Sequence, residues 1–306
     1  MRRNGLAMFL ACCLPGGLAA APAVAADGHT LQNSRLTIVF GSSANGYTTN
    51  DADRVDAITW VNSAGTSFAY FVAAGGPLHC GDPQEFFGEA YGDYGVSGDI
   101  GVPIPLAVVP GVTSTWTGTS ATQGMTAIRS LASCDSTLDA KTRTTYTLSA
   151  RPALVNSLKI TRSFAFAKKP SAGNLRAYVA RLSLGIYPVV LAPNAAGVVQ
   201  TYSVIACPLN CTETDWNGKW MADDDGHGNG MAIFRSATTN PSAQLTIDYD
   251  GYSDSNNTAV TLIMPTAGWS GTVTETEYLC FYDATSWPAA AQKNGRPPAG
   301  CTGVPH

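Results

Sequence analysis

Beyond its first two dozen residues the sequence has no long hydrophobic run, and it has no excess of positive charge. The first absence excludes a helical membrane span, which needs about 20 apolar residues in a row. The second argues against nucleic acid as a partner, because Lys and Arg total 18 against 22 Asp and Glu and no basic patch appears. Histidine is scarce, with four in 306 residues, so a serine-hydrolase triad has few bases to draw on. There is no Gly-x-Ser-x-Gly elbow, no His-Glu-x-x-His, no phosphate loop and no dinucleotide fingerprint. Helical periodicity is almost absent. The one short candidate, Gln84–Ala90, contains Gly88, a poor helix former.

The N-terminus reads as an export leader covering residues 1–26. Arg2 and Arg3 form a positive start, Leu6 to Leu14 an apolar stretch broken by Pro15-Gly16-Gly17, and Ala23-Val24-Ala25 a small-residue cleavage site. A lipoprotein reading of Leu10-Ala11-Cys12 is the alternative. Either way the chain is expected outside the cytoplasm, secreted or periplasmic. Cys12 and Cys13 leave with the leader. Cys80, Cys134, Cys207, Cys211, Cys280 and Cys301 remain, and an even number in an exported chain predicts disulfides. Six cysteines allow 15 connectivities. One choice closes Cys207 on Cys211, pins the Pro/Gly-rich tail through Cys280 and Cys301, and leaves Cys80 with Cys134. A zinc site from Cys207, Cys211 and His227 competes, but an oxidising compartment and the lack of a second close cysteine pair oppose it.

Alternating and β-branched runs dominate the rest. Leu36–Phe40, Ala57–Val61, Phe68–Val72, Thr144–Ser149, Leu158–Ala167, Leu175–Leu184, Val198–Ala206, Met231–Arg235, Leu245–Tyr249, Ala259–Met264 and Thr272–Tyr282 are strand candidates. Asn62–Gly65 supplies a hairpin turn. Ile100–Pro110 reads as a loop or a sheet edge, because proline cannot donate to a central ladder. The tail after Trp287 reads as irregular. The predicted fold is all-β, one large antiparallel β-sandwich over residues 27–306 with few or no helices.

Tyr146-Thr147-Leu148, the run Leu158–Phe166 and Leu175–Val179 resemble the long paired strands of galactose-mutarotase-like super-sandwich domains, and Trp220 followed by Gly230–Phe234 is similar to a strand pair that recurs in them. The resemblance implies two large antiparallel sheets and a concave sugar-binding face. That family mixes epimerases, lyase and hydrolase domains with non-catalytic domains, so it implies carbohydrate without setting a reaction. Its epimerases use two histidines and a glutamate, a set this chain does not match.

The segment Asp215–Met231 concentrates chemistry. Trp216 and Trp220 are candidate stacking platforms for a sugar ring. Asp224, Asp225 and His227 are candidate proton-transfer groups. Asp223, Asp225 and Asn229 have oxygen donors at a spacing that suits Ca²⁺, and Asp248–Asp254 repeats that chemistry. Both loops also read as solvated polar turns. Glu275 and Glu277 lie two apart on a strand and therefore on one face, where mutual repulsion raises one pKa. A charged, exposed strand face is the bland alternative. Arg162 is a candidate clamp for a substrate carboxylate or a partner in a structural ion pair.

These features predict a secreted, disulfide-stabilised protein acting on a polysaccharide or oligosaccharide. The leading expectation is glycosidic cleavage by two carboxylates, one of Asp223–Asp225 with Glu275 or Glu277. The alternative is a glycan-binding or surface-structural β-sandwich without turnover, stabilised by Ca²⁺.

Overall fold

The computed structural model describes residues 29–40, 55–72, 96–97, 106–133, 139–168, 174–183, 189–202, 211–212, 219–238, 244–250, 257–265 and 272–305. The leader, the 84–90 turn, Trp216, Cys80, Cys134 and Cys207 lie outside these residues. The described strands run in chain order: β1 (His29–Gln32), β2 (Leu36–Phe40), β3 (Val55–Val61), β4 (Ser67–Val72), β5 (Val96–Ser97), β6 (Leu106–Gly118), β7 (Thr122–Ser133), β8 (Asp139–Ser149) and β9 (Ser157–Lys168). Then follow β10 (Asn174–Ser183), β11 (Val189–Pro193), β12 (Val199–Tyr202), β13 (Cys211–Thr212), β14 (Trp220–Asp224), β15 (Gly230–Thr238), β16 (Gln244–Asp250), β17 (Asn257–Pro265) and β18 (Thr272–Tyr282). One short helix, α1 (Ala289–Lys293), interrupts the tail that was expected to be irregular throughout.

Every pairing among the described strands is antiparallel. The strands form a four-stranded sheet in the order β1-β2-β3-β4, a five-stranded sheet β13-β16-β17-β10-β5, and a nine-stranded sheet β12-β11-β14-β15-β18-β9-β8-β7-β6. The 106–118 stretch extends the expected Pro-rich edge into a full edge strand, and its pairing with β7 shifts register between Val109 and Thr113, around Pro110.

Alternation decides which side of each strand is buried. In β2, Leu36, Ile38 and Phe40 are buried while Thr37 and Val39 are half-exposed. In β9, Leu158, Ile160, Arg162 and Phe164 point to one side of the nine-stranded sheet, its inner face. The four-stranded sheet packs on that face: the Phe40 ring meets Tyr146 of β8 at 5.1 Å and Trp116 of β6 at 5.5 Å. Each fully buried side chain of this kind contributes roughly 1.5–3 kcal/mol.

A strap, residues 283–305, covers part of the opposite, outer face. Trp287, Cys301 and Val304 of the strap pack with Trp220, Ala222, Ala232, Phe234, Cys280 and Tyr282 of β14, β15 and β18. Asn156, just before β9, ties the layers together. Its Oδ1 accepts from Trp60 Nε1 of β3 at 3.1 Å, and its Nδ2 donates to Ala299 O at 2.9 Å. Its backbone N–H donates to Gly300 O, and its carbonyl accepts from Phe281 N–H at 3.0 Å. No helix among the described residues is long and apolar enough to cross a membrane.

Candidate functional site

The segment with the densest chemistry folds as a hairpin. β14 pairs with β15 from Trp220↔Phe234 to Asp224↔Gly230, and residues 225–229 form the loop. Trp220 is 3 % exposed, with the Trp287 ring 5.1 Å away edge-on, so it is a core residue and presents no stacking platform. Asp215 and Asn217 lie outside the described residues and Asp223 and Asp224 share its strand; its spatial neighbours come from β15, β18 and the strap.

The hairpin carboxylates are engaged in shaping the turn. Asp224 Oδ1 accepts the N–H groups of Gly226 and Gly228, and its Oδ2 accepts the Tyr282 hydroxyl at 3.0 Å. Burial raises its pKa, and these bonds offset part of the rise. Asp225 Oδ1 accepts from the backbone of His227 and Asn229, and its Oδ2 from Asn229 Nδ2 at 2.7 Å. Burial pushes its pKa up, but the Asn229 and His227 contacts outweigh that and hold it below the usual range. His227 is exposed at the loop tip. Glycine is required at Gly228, with φ +87°, and at Gly230, where a Cβ would collide with Asp223 O.

Strand parity separates the expected catalytic pair. Asp224 faces outward with Tyr282, whereas Glu275 and Glu277 face inward. Asp223 shares the inner face. Its register partner is Met231 and, one strand further, Phe281, so Glu277 stands four residues along β18, about 13 Å away in that direction. Asp223 is buried, Oδ1 has no hydrogen-bond partner among the described residues, and burial drives its pKa well above the ordinary value. The three groups expected to hold Ca²⁺ are not assembled: Asp225 and Asn229 bond each other, and Asp223 lies buried in the sheet. No three His, Cys, Asp or Glu side chains converge as a metal site among the described residues. Of the second acidic loop, Asp248 and Asp250 belong to β16, and residues 251–256 lie outside the described residues.

Glu275 and Glu277 do share one face, as their spacing predicts. They are neither exposed nor unpaired: both are 1 % exposed. Glu277 Oε2 accepts from Arg162 Nη1 at 3.0 Å, and Glu275 Oε2 from Arg235 Nη2 at 3.3 Å. Burial raises the Glu277 pKa, and Arg162 and Arg235 oppose the rise. Two cations and two anions make a neutral quartet. Arg162, at 0 % exposure, is thus the structural ion-pair partner.

The open part of the outer face holds a group that the sequence reading passed over. Register places Thr115, Thr126, Thr145, Thr161 and Thr276 in one row across β6, β7, β8, β9 and β18. Thr126 and Thr145 hydroxyls lie 2.9 Å apart, and Thr161 and Thr276 hydroxyls 3.2 Å. In the neighbouring row Ser163 and Thr274 meet at 2.9 Å. On the other side Tyr278 lies half-exposed opposite Lys159, whose Nζ stands 5.9 Å from the ring centroid. Thr115 is exposed, Thr126, Thr145 and Thr161 are half-buried, and Thr276 is 9 % exposed. The available signal was threonine at alternate positions in Thr145-x-Thr147, Thr161-x-Ser163 and Thr272-x-Thr274-x-Thr276. A row of threonines on strands roughly 4.8 Å apart, its hydroxyls drawn into pairs, beside a tyrosine ring and an ammonium, can hydrogen-bond and stack on a flat polar ligand.

No protein-family model matches the sequence, and no curated protein sequence matches it. Among solved structures, the chain resembles a region of the α-N-acetylgalactosaminidase NagBb from Bifidobacterium bifidum in its GalNAc complex, with 13 % identity, a TM-score of 0.46, and coverage of 88 % of this chain and 39 % of that one. The GH36 α-galactosidase AgaA from Geobacillus stearothermophilus, in complex with raffinose, matches at 8 % identity and a TM-score of 0.43, over 84 % of this chain and 41 % of that one. A TPR-domain containing protein from Parabacteroides distasonis matches at 10 % identity and a TM-score of 0.48, over 83 % and 46 %. The chain spans less than half the length of each of these proteins.

Proposed function

We propose that this chain is an exported, non-catalytic glycan-binding β-sandwich protein whose contact surface is the hydroxyl face of the nine-stranded sheet. The observation that carries the reading is the in-register row Thr115–Thr126–Thr145–Thr161–Thr276 with Tyr278 and Lys159 beside it. Sugar hydroxyls need donors and acceptors at short intervals, and each bonded threonine pair keeps one O–H donor and three acceptor lone pairs for a ligand. The tyrosine ring adds a surface for the apolar face of a pyranose.

Cleavage by the expected carboxylates is the weaker reading. A glycosidase needs two carboxylates across a substrate cleft, about 5–9.5 Å apart. Asp224 and Glu277 lie on opposite faces of the sheet, and Glu275 and Glu277 are buried against guanidinium groups.

The test is binding of the purified protein to a glycan array and to insoluble polysaccharides, beside an assay for new reducing ends and unsaturated products. Binding without products is expected. The double change Thr145→Val, Thr161→Val keeps side-chain shape and removes two hydroxyls. It and Tyr278→Ala are each expected to weaken binding about tenfold or more, in line with the roughly 1.4 kcal/mol that a lost hydrogen bond or stack costs. Product formation, or binding that ignores both variants, would overturn the reading.

A further inference from the structure

Cys280 and Cys301 are fully buried in the cluster beneath the strap, and both stand as thiols. They reach one place from different elements. Cys280 is the antiparallel partner of Ser157 in β9, and the next N–H along β18, that of Phe281, donates to Asn156 O at 3.0 Å. Cys301 Sγ contacts the same Asn156 carbonyl at 3.4 Å. Cys301 Sγ therefore lies beside the Asn156 carbonyl, and Cys280, one residue before that carbonyl's backbone donor, is in side-chain contact with Cys301, in a site lined by Trp220, Tyr282 and Trp287.

We propose that Cys280 and Cys301 form a disulfide, and that it closes before the strap docks. The bond ties the strap to a central strand of the nine-stranded sheet. Its formation needs a two-electron acceptor, here a small-molecule disulfide. One cysteine loses its proton, and its thiolate attacks a sulfur of that disulfide, releasing one thiolate. The second cysteine, also deprotonated, attacks the cysteine sulfur of the mixed disulfide and releases the other. Two cysteine thiols are oxidised, one external disulfide becomes two thiols, and the two protons pass to the leaving thiolates.

Burial sets the order of events. Neither sulfur has solvent exposure in the docked state, so an oxidant cannot reach it. Burial and the neighbouring Cys301 also hold the Cys280 thiol well above its ordinary range, which starves the folded state of thiolate. With the strap undocked both obstacles vanish. The same burial then shields the closed bond from reductants.

The test uses the full chain and does not depend on glycan binding. Denatured, reduced protein is refolded in glutathione and glutathione disulfide, quenched with iodoacetamide, and mapped by non-reducing mass spectrometry. A linked Cys280–Cys301 peptide is expected. The folded, reduced protein given the same redox mixture for the same time should keep both thiols. Alkylation of both cysteines after refolding, or linkage of either to another cysteine, overturns the bond. Equal oxidation of the folded and denatured protein overturns the order. Cys301→Ser should melt roughly 5–10 °C below the oxidised wild type. An equal melting temperature would also overturn the proposal.

Discussion

Arg162 bonds Glu277 across a diagonal of the sheet. The residue directly opposite Arg162 in register is Glu275, and the residue directly opposite Glu277 on β15 is Arg235. Each arginine bonds the glutamate diagonal to it, at 3.0 and 3.3 Å, so the two ion pairs meet β18 from opposite sides as parallel diagonals. The arrangement couples three strands through four side chains, and it rests on the two-residue offset of Arg162 and Arg235 along β18.

Removing one charge from this quartet strands another in the sheet. Glu277→Gln is expected to destabilise the protein by about 3–5 kcal/mol, because the buried Arg162 would keep its charge and lose its ion pair with Glu277. Replacing both residues, Arg162→Met with Glu277→Leu, should restore most of that loss. Urea unfolding of the two variants checks this: equal stability of Glu277→Gln and wild type would mean that Arg162 finds its compensation elsewhere.

Trp220 is expected to behave as core. Trp220→Ala should cost about 3–5 kcal/mol, since it empties the space shared with Trp287, Phe234 and Tyr282. Glycan affinity measured per folded molecule should stay unchanged. Loss of affinity at full stability would reinstate the tryptophan as a ligand platform.

Asp283 gives an acid limb to the stability curve. Burial pushes its carboxyl up, but hydrogen bonds from Thr285, Ser286 and Asn62 outweigh burial and hold its pKa below the ordinary value. With the folded pKa depressed, its contribution is fully present above the ordinary carboxyl range and is lost as pH falls through the lower, folded value. Asp283→Asn should flatten that limb. Thermal melts from pH 6 down to pH 2 check the prediction, and parallel curves for variant and wild type would refute it.

Glycines Gly65 and Gly230 are expected to differ sharply. Gly65 has φ +83° and open space around it, so Gly65→Ala meets backbone strain alone and should cost about 1 kcal/mol. A Cβ at Gly230 would strike Asp223 O and stand 2.7 Å from the Tyr282 hydroxyl. Gly230→Ala should therefore break the hairpin's hydrogen bonding and cost several-fold more. Denaturant melts of the two variants side by side decide it.

Strands carrying large apolar residues at alternate positions were legible in the sequence. The Leu158–Ala167 candidate matches β9 (Ser157–Lys168), and Thr272–Tyr282 matches β18 residue for residue. The Trp60 hairpin and its turn were legible for the same reason. The pair formed by β6 and β7 was not read, because threonine, serine and alanine give little contrast between the two faces. The shared face of Glu275 and Glu277 follows from spacing alone, but their burial does not. It depends on Arg162 and Arg235, which stand on separate strands far away in sequence. Trp220 misled in the same way: its polar flanks are local, and the rings that bury it arrive from residues 234, 282 and 287.

Asn156 bonds Trp60 on one side of the chain and Phe281, Ala299, Gly300 and Cys301 on the other. A polypeptide is synthesised from its N-terminus, so this asparagine is made long before most of its partners. Until residues 299–301 emerge, its carbonyl and amide stay only partly satisfied, and the rings of Trp220, Phe234 and Tyr282 have no cover. A nascent chain halted near residue 282 would thus hold a nearly complete sheet with a sticky apolar flank. That flank is the kind of exposed apolar surface that a chaperone grips, and docking of residues 283–305 is the event that covers it.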